Sequence, residues 1–292
     1  MKKRASKNRI ILTFMLLFSA DAQALNILSI NTEWLWDDEI PHEGRVVKPN
    51  KRVHPPTHKE FQLETYVIAQ QIKLSKANIV ALIEIENENV ANTIAKHLGD
   101  HWKVAFKKGR DSFTGQDVAI LTTYDIIPDT VSNFPSYIGE SRDSTVKKTP
   151  SKVLGVALQY EGVSYYVIAA HLISKRGPND EKRFAQADAI RQALVASYGK
   201  YNHYIVMGDM NDTPGSNVLR RLKGEWDPHP DLVQIADTRG MYHDYSYIYS
   251  GNKQLIDHIL IDSELAKSLE FFTLEQLPVV SDHRAVGVRT AN

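Results

Sequence analysis

The 292-residue chain contains no cysteine. It can form no disulfide, hold no metal through thiolates and use no thiol nucleophile. Neither charge is in excess, with 35 basic and 35 acidic residues, which rules out a strongly basic nucleic-acid binder at the whole-chain level. No apolar run reaches the ~20 residues that a membrane-spanning helix needs. Three signatures are also missing. No G-x-S-x-G elbow marks a serine hydrolase, and no H-E-x-x-H marks a zinc protease. No G-x-G-x-x-G follows the first apolar run, which argues against a doubly wound dinucleotide-binding fold.

What is present begins with Lys2, Lys3, Arg4, Lys7 and Arg9, an apolar stretch over 10–20, and then Ala22-Gln23-Ala24. A basic start, a short apolar middle and a small-x-small end form the pattern of a cleaved signal peptide rather than an anchor. The expectation is a signal over 1–24, a mature domain over 25–292, and residence in the periplasm or the medium. Removing 1–24 takes away those bases and Asp21, leaving four more acids than bases. A polyanion would then be held by a local cationic patch and a metal.

With 42% hydrophobic residues the chain can bury a large core. No repeat or linker divides 25–292, so one domain is expected. Apolar runs predict strands over 25–31, 79–85, 102–106, 118–122, 204–208, 254–261 and 285–289, and a hairpin over 152–170 turning at Glu161-Gly162. Helical spacing predicts helices over 61–75, 90–98 and 180–198, with a short one over 218–222. Residues 37–60 and 136–150 read as loops. Hairpins and helical crossovers together favour an α/β domain of two mixed sheets packed face to face with helices outside.

Several of these runs end in a carboxylate, an imidazole or an amide: Asn31, Glu84, Asp117, His171, Asp209 with Asn211, Asp257, and Asp282-His283. Polar groups repeatedly placed where buried strands stop gather at one sheet edge. Such a cluster is costly unless it holds a cation or does chemistry. Glu84 is followed by Glu86, Asn87 and Glu88, and strand alternation puts Glu84 and Glu86 on one side, so local reading leaves both as candidates for a hard divalent cation. Gly208-Asp209-Met210-Asn211 permits a tight turn that aims an acid and an amide the same way; the alternative is an Asx turn. Each histidine alone is more often structural. As a pair, His171 and His283 offer one ring to take a proton and one to give it, with Asp117 and Asp257 available to orient them. His42, His54 and His58 are irregularly spaced and read as solvated.

In order and spacing these segments resemble the endonuclease/exonuclease/phosphatase superfamily, the deoxyribonuclease-like group, across nearly all of 25–288. The runs E-I-E-N after the second strand and H-L-I-S-K-R-G look like its bacterial secreted or periplasmic nucleases. The resemblance implies a four-layer α/β sandwich with two central mixed sheets. It implies that Glu84, rather than Glu86, holds Mg²⁺ or Mn²⁺ (Ca²⁺ is also admitted), with Asn31 and Asp282 beside it. Asp209 and Asn211 then orient the nucleophile and contact the scissile phosphate, Asp257 orients His283, and Asp117 with His171 forms a second acid–imidazole pair acting on the leaving group. Ile83 and His258 depart from the residues usual at their positions.

The activity implied is metal-dependent hydrolysis of DNA, and of RNA as a second substrate, by a monomeric, sequence-nonspecific endonuclease. Lys107, Lys108, Arg110, Arg142, Lys147, Lys148, Lys175 and Arg176 lie in loops near strand ends. Lys108, Arg110, Lys175 and Arg176 are the foremost candidates to track the backbone, so that binding weakens steeply with salt. A phosphatase or phospholipase of the same superfamily is the nearest alternative, and an inactive binding scaffold the alternative from another class.

Overall fold

The computed structural model describes residues 24–39, 56–228, 231–238, 244–277 and 280–291. The expected signal peptide falls outside them except for Ala24, as do His42 and His54. In chain order the elements are β1 (Asn26–Leu35), α1 (His58–Ser75), β2 (Ile79–Ile85), α2 (Glu88–Leu98), β3 (Lys103–Phe106), β4 (Asp117–Thr122), β5 (Asp125–Ile126), β6 (Gly139–Glu140), β7 (Lys147–Lys148), β8 (Val153–Tyr160), β9 (Val163–His171), α3 (Asp180–Val195), β10 (His203–Asp209), α4 (Asn217–Lys223), β11 (Leu232–Gln234), α5 (Ile235–Thr238), β12 (Tyr247–Tyr249), β13 (Asn252–Gln254), β14 (Asp257–Asp262), α6 (Ser263–Ala266), β15 (Leu269–Thr273) and β16 (Val286–Thr290).

Two mixed six-stranded sheets result, ordered β15-β16-β1-β2-β4-β3 and β11-β14-β10-β9-β8-β5. The central strands are buried on both faces, so alternate residues serve two cores. Ile79, Ala81 and Ile83 of β2 meet Val167 and Ala169 of β9 and Ile205 and Met207 of β10 between the sheets. Val80 and Leu82 face outward onto Ile68 and Ile72 of α1 and Ile94 of α2. Ile168, Ala170 and Val206 face the opposite way, onto Ile190 and Leu194 of α3 and Leu219 of α4. The layers are therefore helix, sheet, sheet, helix, as the resemblance implied.

Helix α1 starts before the predicted position because Thr57 and Glu60 form a capping box, in which the cap oxygen and the acid satisfy end amides reciprocally. His58 thus leaves the predicted loop for the first helical turn, its Nδ1 2.7 Å from Asp38 Oδ2. Helix α3 ends at Val195 rather than 198. The strand predicted over 254–261 is two strands, β13 and β14, and the predicted loop over 136–150 holds the β6–β7 ribbon.

β1 runs parallel to β2, and β9 to β10. β4 and β14 run antiparallel to their neighbours and so begin where β2 and β10 end. This register brings the C-terminal ends of β1, β2, β9 and β10 and the N-terminal ends of β4 and β14 to one edge of the sandwich.

Candidate active site

Sheet register builds the floor of the site. Asp209 of β10 pairs with His171 of β9 on one side and with Asp257 of β14 on the other, so the three side chains stand in a row across the sheet. Gly208, at φ 133°, makes this possible: a Cβ there would run into the carbonyl oxygen of Ala170. The first sheet supplies the facing groups. Asn31 Nδ2 donates to Asp209 Oδ2 at 3.1 Å and to Glu84 Oε1 at 3.3 Å, joining the two sheets through one amide.

Glu84 and Glu86 do not share a face, and the alternation expected of them fails. Glu84 has φ 67° and is the extra residue where Ile83 pairs with Val118 and Ile85 with Asp117. This bulge reverses the alternation. Ile83 points between the sheets, whereas Ile85 points to the helical side. Glu84 is thereby turned into the cleft, with His171 Nε2 3.6 Å from its Oε1. Glu86 is buried elsewhere, its Oε2 accepting from Asp37 N at 3.1 Å.

His283 lies 2.7 Å from Asp257 through Nδ1 and Oδ2, as expected. Two serines fix this pair. Ser246 Oγ accepts from Asp257 N at 3.0 Å, and Ser281 Oγ donates to Asn31 O at 2.6 Å while accepting from His283 N at 2.9 Å. Asp282 lies 3.7 Å from His283 Nε2. Asp209 forms the Asx turn, the alternative read from sequence, its Oδ1 accepting from Asn211 N at 2.8 Å, while Asn211, at φ 49°, donates its Nδ2 to Leu172 O at 2.9 Å. The second N–H of that amide is available to a ligand.

The expected pairing of Asp117 with His171 is not formed. Asp117 Oδ1 accepts from Gly109 N at 2.7 Å, and His171 Nδ1 is buried without a hydrogen-bond partner. Its neighbour Gln116 faces the cleft instead. Gln116 Nε2 donates to Glu84 Oε2 at 3.2 Å and its Oε1 accepts from Lys152 Nζ at 3.3 Å. Successive residues here face opposite ways, which turns Gln116 toward the cleft and Asp117 toward the Gly109 amide. Lys175 and Arg176 line the cleft, whereas Lys108 and Arg110 are not among its lining residues. Arg110 Nη2 donates to Asn133 O at 3.2 Å instead.

The charges follow from burial. Asp209 is raised well above the usual carboxylate range by burial and by the Asp257 carboxylate, against the pull of His283. Burial would lower His283, but Asp257, then Asp209 and Asp282, outweigh it and push the ring up to about 10. His171 is held well below its ordinary value by burial, Lys152 and His283. Asp117 is raised to about 6 by burial, although the Gly109 amide opposes the shift.

Among the described residues, two trios of ligand atoms lie close enough to share an ion: Glu84, His171 and Asp209, and Asp209, Asp257 and His283. Asp282 belongs to neither. Carboxylates predominate, the donors a hard divalent cation prefers, and Asp257 Oδ1 is buried without a partner. The residues fit such an ion. Glu84, His171, Asp209, Asp282 and His283 line a cleft of about 610 Å³ that also includes Trp34, Phe113, Tyr247 and Tyr249, with Asp257 behind His283.

The family model described as Endonuclease/Exonuclease/phosphatase family matches residues 65–283. The chain belongs to this family. Its members are hydrolases that act on phosphoester bonds and use divalent metals. Among solved structures, humanized D. rerio TDP2 with 14 mutations superposes with a TM-score of 0.63 at 15% identity, covering 92% of this chain and 99% of that one. D. rerio TDP2 complexed with single strand DNA product gives 0.60 at 12% identity, covering 92% and 100%. The human Nocturnin catalytic domain with bound sulfate anion gives 0.59 at 15%, covering 92% and 94%. At these identities the likeness is one of fold. No curated protein matches the chain in sequence.

Proposed function

We propose that this family member is a divalent-cation-dependent phosphodiesterase that cleaves nucleic acid as a sequence-nonspecific endonuclease. One observation carries the reading: Asn31, Glu84, His171, Asp209, Asn211, Asp257, Asp282 and His283 come from separate segments and gather around one cleft edge. Glu84 and Asp209, with Asn31 bridging them, would hold Mg²⁺, Mn²⁺ or Ca²⁺. When bound, the ion supplies neutralisation of phosphate and leaving-group charge.

The chain's own residues do the rest. His283, held by Asp257 and carrying a proton, stabilises the phosphoryl oxygens. Asn211 donates its remaining N–H to the phosphate. Asp209 aligns the attacking water. His171 handles the proton of the leaving oxygen at Nε2. It is neutral as held here, and an arriving phosphate anion raises its proton affinity.

A polymer is favoured over a small ester by the shape of the surface. A second hollow of about 370 Å³ shares Lys175 with the cleft. Export to the periplasm or medium remains our inference from the pattern over 1–24.

The test is the purified chain with supercoiled plasmid, linear DNA, RNA and a panel of phosphate monoesters and lipid headgroups, each with Mg²⁺, Mn²⁺, Ca²⁺ or EDTA. Nicking of the plasmid that EDTA stops is expected. Hydrolysis of the small esters with all nucleic acids intact would assign a phosphatase or phospholipase instead.

A further inference from the structure

Four aromatic rings line the cleft, and three separate segments bring them there. Trp34 comes from the end of β1, Phe113 from the segment before β4, and Tyr247 and Tyr249 from β12. Phe113 is 62% exposed and Tyr249 52%. Single exposed apolar residues are ordinary. Several around one concave, charged site are not, and the packing of the sandwich does not use the two exposed rings.

The reacting groups lie below this rim. His171, Asp209, Asp257 and His283 are 9%, 2%, 1% and 8% exposed. To stack on the rings above them a base must leave its own stack: an unpaired strand offers its bases freely, whereas a duplex must first unstack and unpair, which costs roughly a few kcal/mol.

Among the described residues, the lysines and arginines lining the cleft are Lys152, Lys175 and Arg176. Lys152 Nζ is 3.0 Å from Asp111 and Lys175 Nζ 2.7 Å from Asp212. Two of these three cations are already paired with carboxylates, and stacking on the rings would add affinity to that from phosphate contacts.

We propose that Phe113 and Tyr249, with Trp34 and Tyr247 deeper in the cleft, are stacking platforms for the bases flanking the scissile phosphate, and that the substrate is single-stranded nucleic acid. The proposal rests on the nuclease reading above. Every base has a π-face, so stacking is tolerant of sequence. It also makes binding less salt-sensitive than the loop cations counted from sequence imply, because few counterions are released.

The experiment measures kcat/KM of the full chain with Mg²⁺ on one labelled oligodeoxynucleotide, presented as a single strand and as a blunt duplex. At least about a tenfold preference for the single strand is expected, and Phe113→Ala and Tyr249→Ala should each cut that preference by about tenfold, chiefly through KM. Phe113→Tyr should restore it. Both rings are exposed, and unchanged thermal midpoints would verify that the variants fold.

Equal cleavage of both forms, or an unaltered preference in the alanine variants, overturns the stacking proposal while leaving the nuclease reading in place. Hydrolysis of small phosphate esters with neither oligonucleotide cut overturns both.

Discussion

Asp257 touches His283 with one oxygen and nothing with the other. Oδ2 lies 2.7 Å from His283 Nδ1, while Oδ1 is buried without a partner. Half of this carboxylate is thus committed to holding a ring, and half is buried with no hydrogen bond.

The Asp257–His283 pair should appear in stability as well as in rate. A histidine held at about 10 when folded and near 6.5 when unfolded contributes stability that is fully present below about 6.5 and is lost as pH rises through 10. Denaturant midpoints taken in EDTA should therefore fall between those pH values, and the fall should shrink in Asp257→Asn. His283→Ala should lose roughly 10²–10⁴ in kcat. Turnover at the original rate would remove the ring from the chemistry.

Asp117 should behave in the opposite sense to a catalytic acid. Its carboxyl sits at about 6, above its ordinary 3.8, so its charged form penalises the fold at neutral pH and the penalty disappears below 3.8. Asp117→Asn keeps an oxygen for the Gly109 amide. It should stabilise the protein at pH 8 by up to about 3 kcal/mol, shrinking to nothing near pH 4, with activity retained. A loss of activity comparable to that of His171→Ala would restore Asp117 to the catalytic set.

Gln116 should matter through the metal. It donates to Glu84 Oε2 and accepts from Lys152, fixing the carboxylate's orientation. Gln116→Leu should weaken Mn²⁺ affinity about 10–100-fold, as loss of such orienting partners does. Calorimetric titration of Mn²⁺ into both proteins measures this, and equal affinities would refute it.

A bound cation should stabilise the fold by mass action. At 100 times its Kd, Mn²⁺ should add about 2.7 kcal/mol, which is roughly 5–10 °C in Tm for a domain of this size. Glu84→Gln should abolish the shift. An equal shift in that variant would place the ion elsewhere.

The sandwich was legible because its central strands are long apolar runs, and the site because several of those runs begin or stop at polar residues. Two things were hidden. The bulge at Glu84 is a backbone event, set by pairing with β4, and no residue type announces it. The place of Asp117 turned on one step of strand parity, which puts Gln116, not among the candidates read from sequence, toward the cleft instead. β15 was missed because Leu269–Thr273 is short and follows no turn signal, and its pairing with β16 decides its structure. The cleft aromatics stand in unrelated segments, and only tertiary structure assembles them.

Asn31 fastens a carboxylate of one sheet to a carboxylate of the other. The reactive centre is therefore a seam, and it exists only while both halves of the sandwich are docked. A shear between the layers would part Glu84 from Asp209, and misplacement by about 1 Å can cost on the order of 10²-fold in rate. Catalytic competence and the fit of sheet upon sheet are thus one property, and a substitution deep in the apolar interface, far from any phosphate, can silence the protein without unfolding it.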